Sequence, residues 1–210
     1  MKILTIANFF VLFFSVEANS EPWRNVGDCG KELTCNPACQ LRCLEIHNYY
    51  RSLHNSPPLF CDPTLAKSAQ KWVDQQARDG NMHHSEWTDK FTESISWRGE
   101  GWLGMNQTES AIAGAVRGWY SEIKNHYNYV TGTGNGVVGH FQAVVWSSTT
   151  KLGCGINIQS GDGTYVTAHS SPASHANVDR DKLAPLNVKP RKAPEKLSVD
   201  WNGQENFSLS

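Results

Sequence analysis

The side chains best suited to covalent chemistry in this 210-residue chain are its six cysteines, Cys29, Cys35, Cys39, Cys43, Cys61 and Cys154. Two chemistries compete for them. A structural zinc centre favours thiolates in tight C-x2-C pairs, and no two of these cysteines stand that close. An even number in an exported chain reads instead as a disulfide set with no free thiol, its connectivity left open by the spacing. The first four, from Cys29 to Cys43, suggest an N-terminal staple. Histidine is the second reactive type. Ser85 beside His84 is too local for a catalytic triad, which needs a base oriented by a third group. Neighbours on a chain rarely face the same way, so His83 and His84 are not expected to share a site. His47 falls at helical spacing with Cys43 and Tyr50 and reads as a core histidine bonded to backbone. Neither H-E-x-x-H nor G-x-S-x-G occurs.

Export itself is read from the start of the chain. Lys2 precedes an almost wholly apolar run from Ile3 to Val16, and Ala18-Asn19-Ser20 follows as a small-x-small triplet. This is the pattern of a secretory signal peptide over residues 1–20, with Glu21 as the first mature residue. The run is too short for a membrane span, which needs roughly 18 or more apolar residues. Two sequons, at Asn106 and Asn206, fit an extracellular glycoprotein. With 19 Lys and Arg against 20 Asp and Glu, the net charge of −1 gives no basic face for nucleic acid. A composition 39% hydrophobic excludes a wholly disordered chain. What remains after cleavage suits one well-cored domain, expected to be monomeric.

Capping signals lay out the elements. Asn36-Pro37 opens a helix that runs to about Leu53, and Asn55-Ser56-Pro57-Pro58 stops it. Asp62-Pro63 opens a second, with Leu65, Ala66, Ala69, Trp72, Val73 and Ala77 as its apolar stripe and Gly80 as its stop. Residues 81–107 show no sustained period and read as loops with short elements. Thr108 caps a third helix whose Ile112, Val116, Trp119 and Ile123 share a face. Residues 125–138 read as loop. The dense apolar run His140 to Trp146 reads as the start of β structure. Cys154 to Gln159 and Thr164 to His169 flank Ser160-Gly161-Asp162-Gly163, a hairpin turn. From about Asp179 the chain turns polar and proline-dotted, and a disordered tail is expected over 179–210. Helices followed by strands, without βαβ alternation, argue for a mixed sheet covered by helices.

Gly139-His140-Phe141-Gln142-Ala143-Val144-Val145-Trp146, followed by Leu152-Gly153-Cys154-Gly155, resembles the first signature of the CAP superfamily. That superfamily comprises cysteine-rich secretory proteins, antigen 5 and plant pathogenesis-related proteins. Further matches occur in order: His47-Asn48-x-x-Arg51, Pro57-Pro58-Leu59, Leu65-Ala66, His84-Ser85, Gly99-Glu100 and Trp119-Tyr120-x-Glu122-Ile123. Tyr165-Val166 through Ser171-Pro172 to Asn177 is similar to the second signature. The resemblance covers roughly residues 40–178, preceded by a cysteine-rich extension over 21–39. It implies an α-β-α sandwich whose central mixed, mainly antiparallel sheet is covered by helices. There are departures. Gln142-Ala143 replaces the usual Thr-Gln, Gly101 replaces an Asn, and Ala168 replaces a Cys, so Cys154 must find another partner.

The resemblance also implies a cavity lined by His84, Glu100, Glu122 and His140. Two imidazoles there could hold a divalent metal such as zinc weakly, with carboxylates completing or orienting the site. Glu122, one helical turn after Trp119, is expected to approach the buried face. Two classes of function follow. A secreted, non-catalytic domain would bind a sterol or fatty acid, or a cell-surface protein, in defence, signalling or venom-like roles. The alternative is a metal-dependent hydrolase with Glu100 or Glu122 as base. Because Gly101 and Ala143 remove polar side chains that would orient a substrate, binding without turnover is the expectation.

Overall fold

The computed structural model describes residues 21–86, 90–99, 107–159, 163–174 and 180–192. The expected leader, Glu100, Gly101 and the asparagines of both sequons lie outside the described residues. The elements in chain order are α1 (Pro37–Leu53), β1 (Phe60–Cys61), α2 (Pro63–Asp79), β2 (Thr92–Arg98), α3 (Gln107–Ser121), α4 (Gly139–Val145), β3 (Lys151–Gln159), β4 (Gly163–Ser171) and α5 (Arg180–Asn187). Both early helices start as their capping residues dictate. The Asn36 side chain accepts from the Cys39 amide, and Asp62 accepts from Thr64 and Leu65, each with proline next in line. Gly80 ends α2 at φ 60°, a left-handed conformation that a side chain would strain.

The four strands lie in the order β1-β3-β4-β2, with β1 parallel to β3 and the other two pairings antiparallel. This is the α-β-α sandwich with a mixed, mainly antiparallel sheet. Alternation along β3 sorts the layers. Gly153 and Gly155 face α2 and have no room for a side chain, since a Cβ at Gly153 would stand 2.0 Å from the Ala66 amide nitrogen. Their bare backbone lets α2 lie close on the sheet. Cys154 and Ile156 point the other way, into the main core with Leu44, Ile112, Val116, Trp119, Phe141 and Trp146. Among the described residues, no helix is long and apolar enough to cross a membrane.

All six cysteines are paired, Cys29 with Cys61, Cys35 with Cys39 and Cys43 with Cys154. With Ala168 opposite it in the ladder, Cys154 crosses the core to α1 instead of bridging within the sheet. Two glutamines bind the first half of the chain to β3. Gln40 donates to the Cys154 carbonyl and accepts from its amide, as a neighbouring strand would, and Gln70 bridges Cys35 and Ile156.

Three elements differ from the sequence reading. The run His140 to Trp146, expected to begin the β structure, instead lies in α4 as far as Val145. The run is buried on nearly every side, so it shows neither the alternation of a strand nor the stripe of a helix. Its helical state comes from partners distant in sequence: Glu122 accepts the His140 and Phe141 amides at its start, and Arg51 takes the Val144 and Trp146 carbonyls at its end. Within the stretch read as loops, β2 completes the sheet by pairing with β4. The expected disorder from residue 179 gives way to α5 over part of its length. There Ala184 and Val188 are fully buried, and the Lys192 amide donates to the Leu53 carbonyl. Two apolar contacts on a polar helix leave little periodic signal, and Pro185 inside it reads as a breaker.

Candidate functional site

The sequence motifs point to two imidazoles and two carboxylates, and among the described residues the structure shows two separate carboxylate–histidine pairs, Glu122 with His140 and Glu93 with His84. The first joins the end of α3 to the start of α4. Glu122 opens a 3-10 turn directly after α3, so its carboxylate reaches the amides that a helix leaves unpaired at its N-terminus. Its Oε2 accepts from His140 N at 2.8 Å and Phe141 N at 3.2 Å, and its Oε1 lies 2.7 Å from His140 Nδ1. The indole of Trp119 stacks near the His140 ring, and Trp119 is itself pinned by donating to the Ile95 carbonyl of β2. Glu122 is thus both the cap of α4 and the acceptor that orients His140.

The second pair brings in Glu93, which belongs to none of the sequence motifs. His84 Nδ1 lies 2.7 Å from Oε1 of Glu93, which also accepts from the Ser85 amide at 2.9 Å. Oε2 of Glu93 lies 2.9 Å from Nε2 of the buried His169. Burial alone would raise the Glu93 pKa, but bonds from His169, Ser85 and His84 outweigh it and hold the carboxyl down to about 2. The available signal was the strand itself. Glu93, Ile95 and Trp97 alternate with small polar residues just after His84, and His169 ends the second apolar strand of the hairpin.

Each imidazole therefore turns Nδ1 to a carboxylate and makes no hydrogen bond through Nε2 to a described residue. That is the arrangement in which a protein presents histidine to zinc, the carboxylate fixing the tautomer from behind. The donor set fits a divalent metal in type but supplies only two nitrogens, short of the four ligands of a structural site. Among the described residues no group of three or more His, Cys, Asp or Glu is arranged to hold an ion.

The remaining motif residues have structural work. His83 turns aside to Asp79. Asn48 pairs with both backbone groups of Leu59, and the Gln142 amide donates to the Tyr127 hydroxyl and the Gly132 carbonyl. His47 is buried against the Cys43 carbonyl; burial pushes its pKa down to about 4, with that bond opposing and Arg51 adding to the shift.

These values set an acid dependence. A histidine whose folded pKa lies below its ordinary 6.5 is fully stabilising above 6.5, and loses that contribution as pH falls toward 4. For His47 the change is on the order of 3 kcal/mol. Glu93 acts in a lower window, its contribution intact above 4.5 and lost as pH falls toward 2. Urea unfolding measured from pH 7.5 downward should show the midpoint falling before Glu93 begins to titrate. A His47→Gln variant should flatten that first slope; an unchanged slope would place its origin elsewhere.

Comparison with known proteins agrees with this architecture. The family model described as CAP, the cysteine-rich secretory protein family, matches residues 44–170. The chain is 34% identical over 151 residues to the human Golgi-associated plant pathogenesis-related protein 1, spanning 71% of this chain and 91% of that one. It is 35% identical over 135 residues to the Candida albicans secreted protein RBT4, covering 63% of this chain but only 34% of RBT4. Among solved structures, BmVAL-1 superposes with a TM-score of 0.58 at 22% identity, covering 70% of this chain and 82% of that one. NaASP2 with Zn2+ superposes with a TM-score of 0.54 at 22% identity, covering 71% and 85% respectively. The fold, the ordered motifs and a family match across more than half of its length together establish that this chain belongs to the CAP, or cysteine-rich secretory protein, family.

Proposed function

We propose that this protein is exported and acts by binding without turnover, taking a hydrophobic ligand such as a fatty acid or sterol or docking on a cell-surface protein. The observation that carries the reading is the commitment of the two described carboxylates. Both oxygens of Glu122 and both of Glu93 accept from the protein itself, leaving neither poised over a water as a general base. A groove of about 180 Å³ between α3 and the β2–β4 pair gives a ligand room, its lining mixing Ala111, Ala115 and Val166 with the polar Ser96, Arg98 and Thr164. It is smaller than the roughly 300–1,000 Å³ of pockets that enclose a whole small molecule, and suits a segment of an acyl chain. Lipid that co-purifies with secreted protein should be identifiable by mass spectrometry. Peptide and ester substrates offered to zinc-loaded protein should show no repeated turnover. Turnover that vanishes in both Glu100→Ala and Glu122→Ala would overturn the reading in favour of the hydrolase.

Zinc, in this reading, is held weakly through Nε2 of His84 and His140 and would supply a fixed positive charge. NaASP2 has been crystallised with that ion. Calorimetry should show affinity falling about ten-fold or more in His140→Ala while the fold survives. Equal affinity in the variant and the parent would place the metal elsewhere.

A further inference from the structure

We propose that His169 is the positioning residue of this site, holding Glu93, and through it His84, in the orientation that leaves His84 Nε2 open to a divalent cation. The proposal rests on the metal-binding reading above. His169 leaves β4 on the face covered by α2 and is 1% exposed. Three contacts fix its ring. Phe91 stacks on it at 4.0 Å, Ser68 Oγ of α2 lies 3.1 Å from Nδ1, and Glu93 Oε2 lies 2.9 Å from Nε2. Glu93 and His169 are direct cross-strand partners, so their side chains leave the sheet on the same face.

The consequence is a chain of fixed acceptors running outward. A carboxylate on an otherwise free side chain turns readily about its last torsion, which is broad. With Oε2 held by His169, Oε1 is left facing the Ser85 amide and His84 Nδ1. The His84 side chain is 60% exposed and, among the described residues, its imidazole bonds to Glu93 alone. An exposed ring held by one bond is placed only as well as its acceptor is. In the neutral His84 ring, a proton on Nδ1 leaves the lone pair on Nε2, the form that binds metal.

Ser68, His169 and Glu93 stand in the order of a nucleophile, base and acid. Ser68, however, lies inside α2, whose amides are taken by carbonyls one turn back, so its own helix offers no free amide as an oxyanion donor. The positioning role is therefore the one the geometry serves. The second pair is supported differently, since Glu122 is held by two backbone amides of α4. Loss of His169 should disturb His84 and leave His140 unchanged.

The test is nitrogen-detected NMR of the imidazoles in metal-free protein, followed by zinc titration. Asparagine matches the Nδ1 position of histidine and glutamine the Nε2 position. His169→Asn can keep the bond to Ser68 but cannot reach Glu93, whereas His169→Gln can reach it. The parent should carry the His84 proton on Nδ1. His169→Asn should shift the tautomer toward Nε2–H and weaken zinc binding about ten-fold or more, and His169→Gln should restore both. The His140 signals serve as the control for folding. An unchanged His84 tautomer in His169→Asn, with His140 intact, would overturn the proposal. Zinc affinity equal in parent and His84→Ala, with the tautomer still responding to His169, would instead remove the metal reading and leave the effect on His84 standing.

Discussion

Replacing Arg51 with alanine is expected to destabilise the fold severely. The side chain is completely buried in α1, and its acceptors are carbonyls from three separate stretches of chain. Nε donates to Pro57 at 2.7 Å, one terminal nitrogen donates to Val144 and Trp146 at 3.1 and 2.9 Å, and the other donates to Thr149 at 2.8 Å. Val144 and Trp146 lie at the C-terminal end of α4, where the helix leaves carbonyls unpaired and a positive charge is favoured. Burial lowers the Arg51 pKa to about 9, so the guanidinium still carries its charge at neutral pH. Alanine would leave the Pro57, Val144 and Thr149 carbonyls without this donor in a dry interior, while Trp146 keeps the Thr149 amide. Each unsatisfied buried group costs about 1–3 kcal/mol. Even without full additivity, a loss of about 4 kcal/mol or more is expected against a total stability of about 5–15 kcal/mol. Lysine should not rescue it, because three donors radiating from one point cannot match a planar fork serving acceptors on several sides. Urea unfolding followed by circular dichroism provides the measurement. A midpoint in Arg51→Ala close to that of the parent would show that the carbonyls find other donors.

Removing the Cys43–Cys154 bridge should be the most damaging of the three possible disulfide losses. Its partners are 111 residues apart in sequence, against 32 for Cys29–Cys61 and 4 for Cys35–Cys39. The entropy taken from the unfolded chain rises with the logarithm of the loop, giving about 5 kcal/mol for the longest bridge and about 2 kcal/mol for the shortest. Both sulfurs of the long bridge are also fully buried where α1 meets the sheet, so alanine at both positions leaves unfilled space. Thermal unfolding should rank the paired alanine variants with Cys43/Cys154 lowest, then Cys29/Cys61, then Cys35/Cys39. Equal effects from the longest and shortest bridges would show that the unfolded-chain account does not apply here.

Features with local causes are legible in the amino-acid sequence. Asn36, Asp62 and Gly80 mark helix ends because their own side chains or backbone conformations satisfy the end groups, and each does so in the structure. The hairpin of β3 and β4 was legible because its two apolar strands flank a glycine-rich turn. Ordered motifs identified the family, and with it the layered architecture and the His140–Glu122 pair. Tertiary structure decided the rest. The conformation of residues 139–145 depends on Glu122 at one end and Arg51 at the other, neither of them near in sequence. The disulfide partner of Cys154 depends on which face of β3 it occupies and on the helix that packs there. Above all, the acceptor of His84 is Glu93, which a one-residue change in strand register would turn to the opposite face. A residue's type shows what bonds it can make; only the pairing of β2 with β4 brings Glu93 and His169 to one face of the sheet, where that bonding becomes a site.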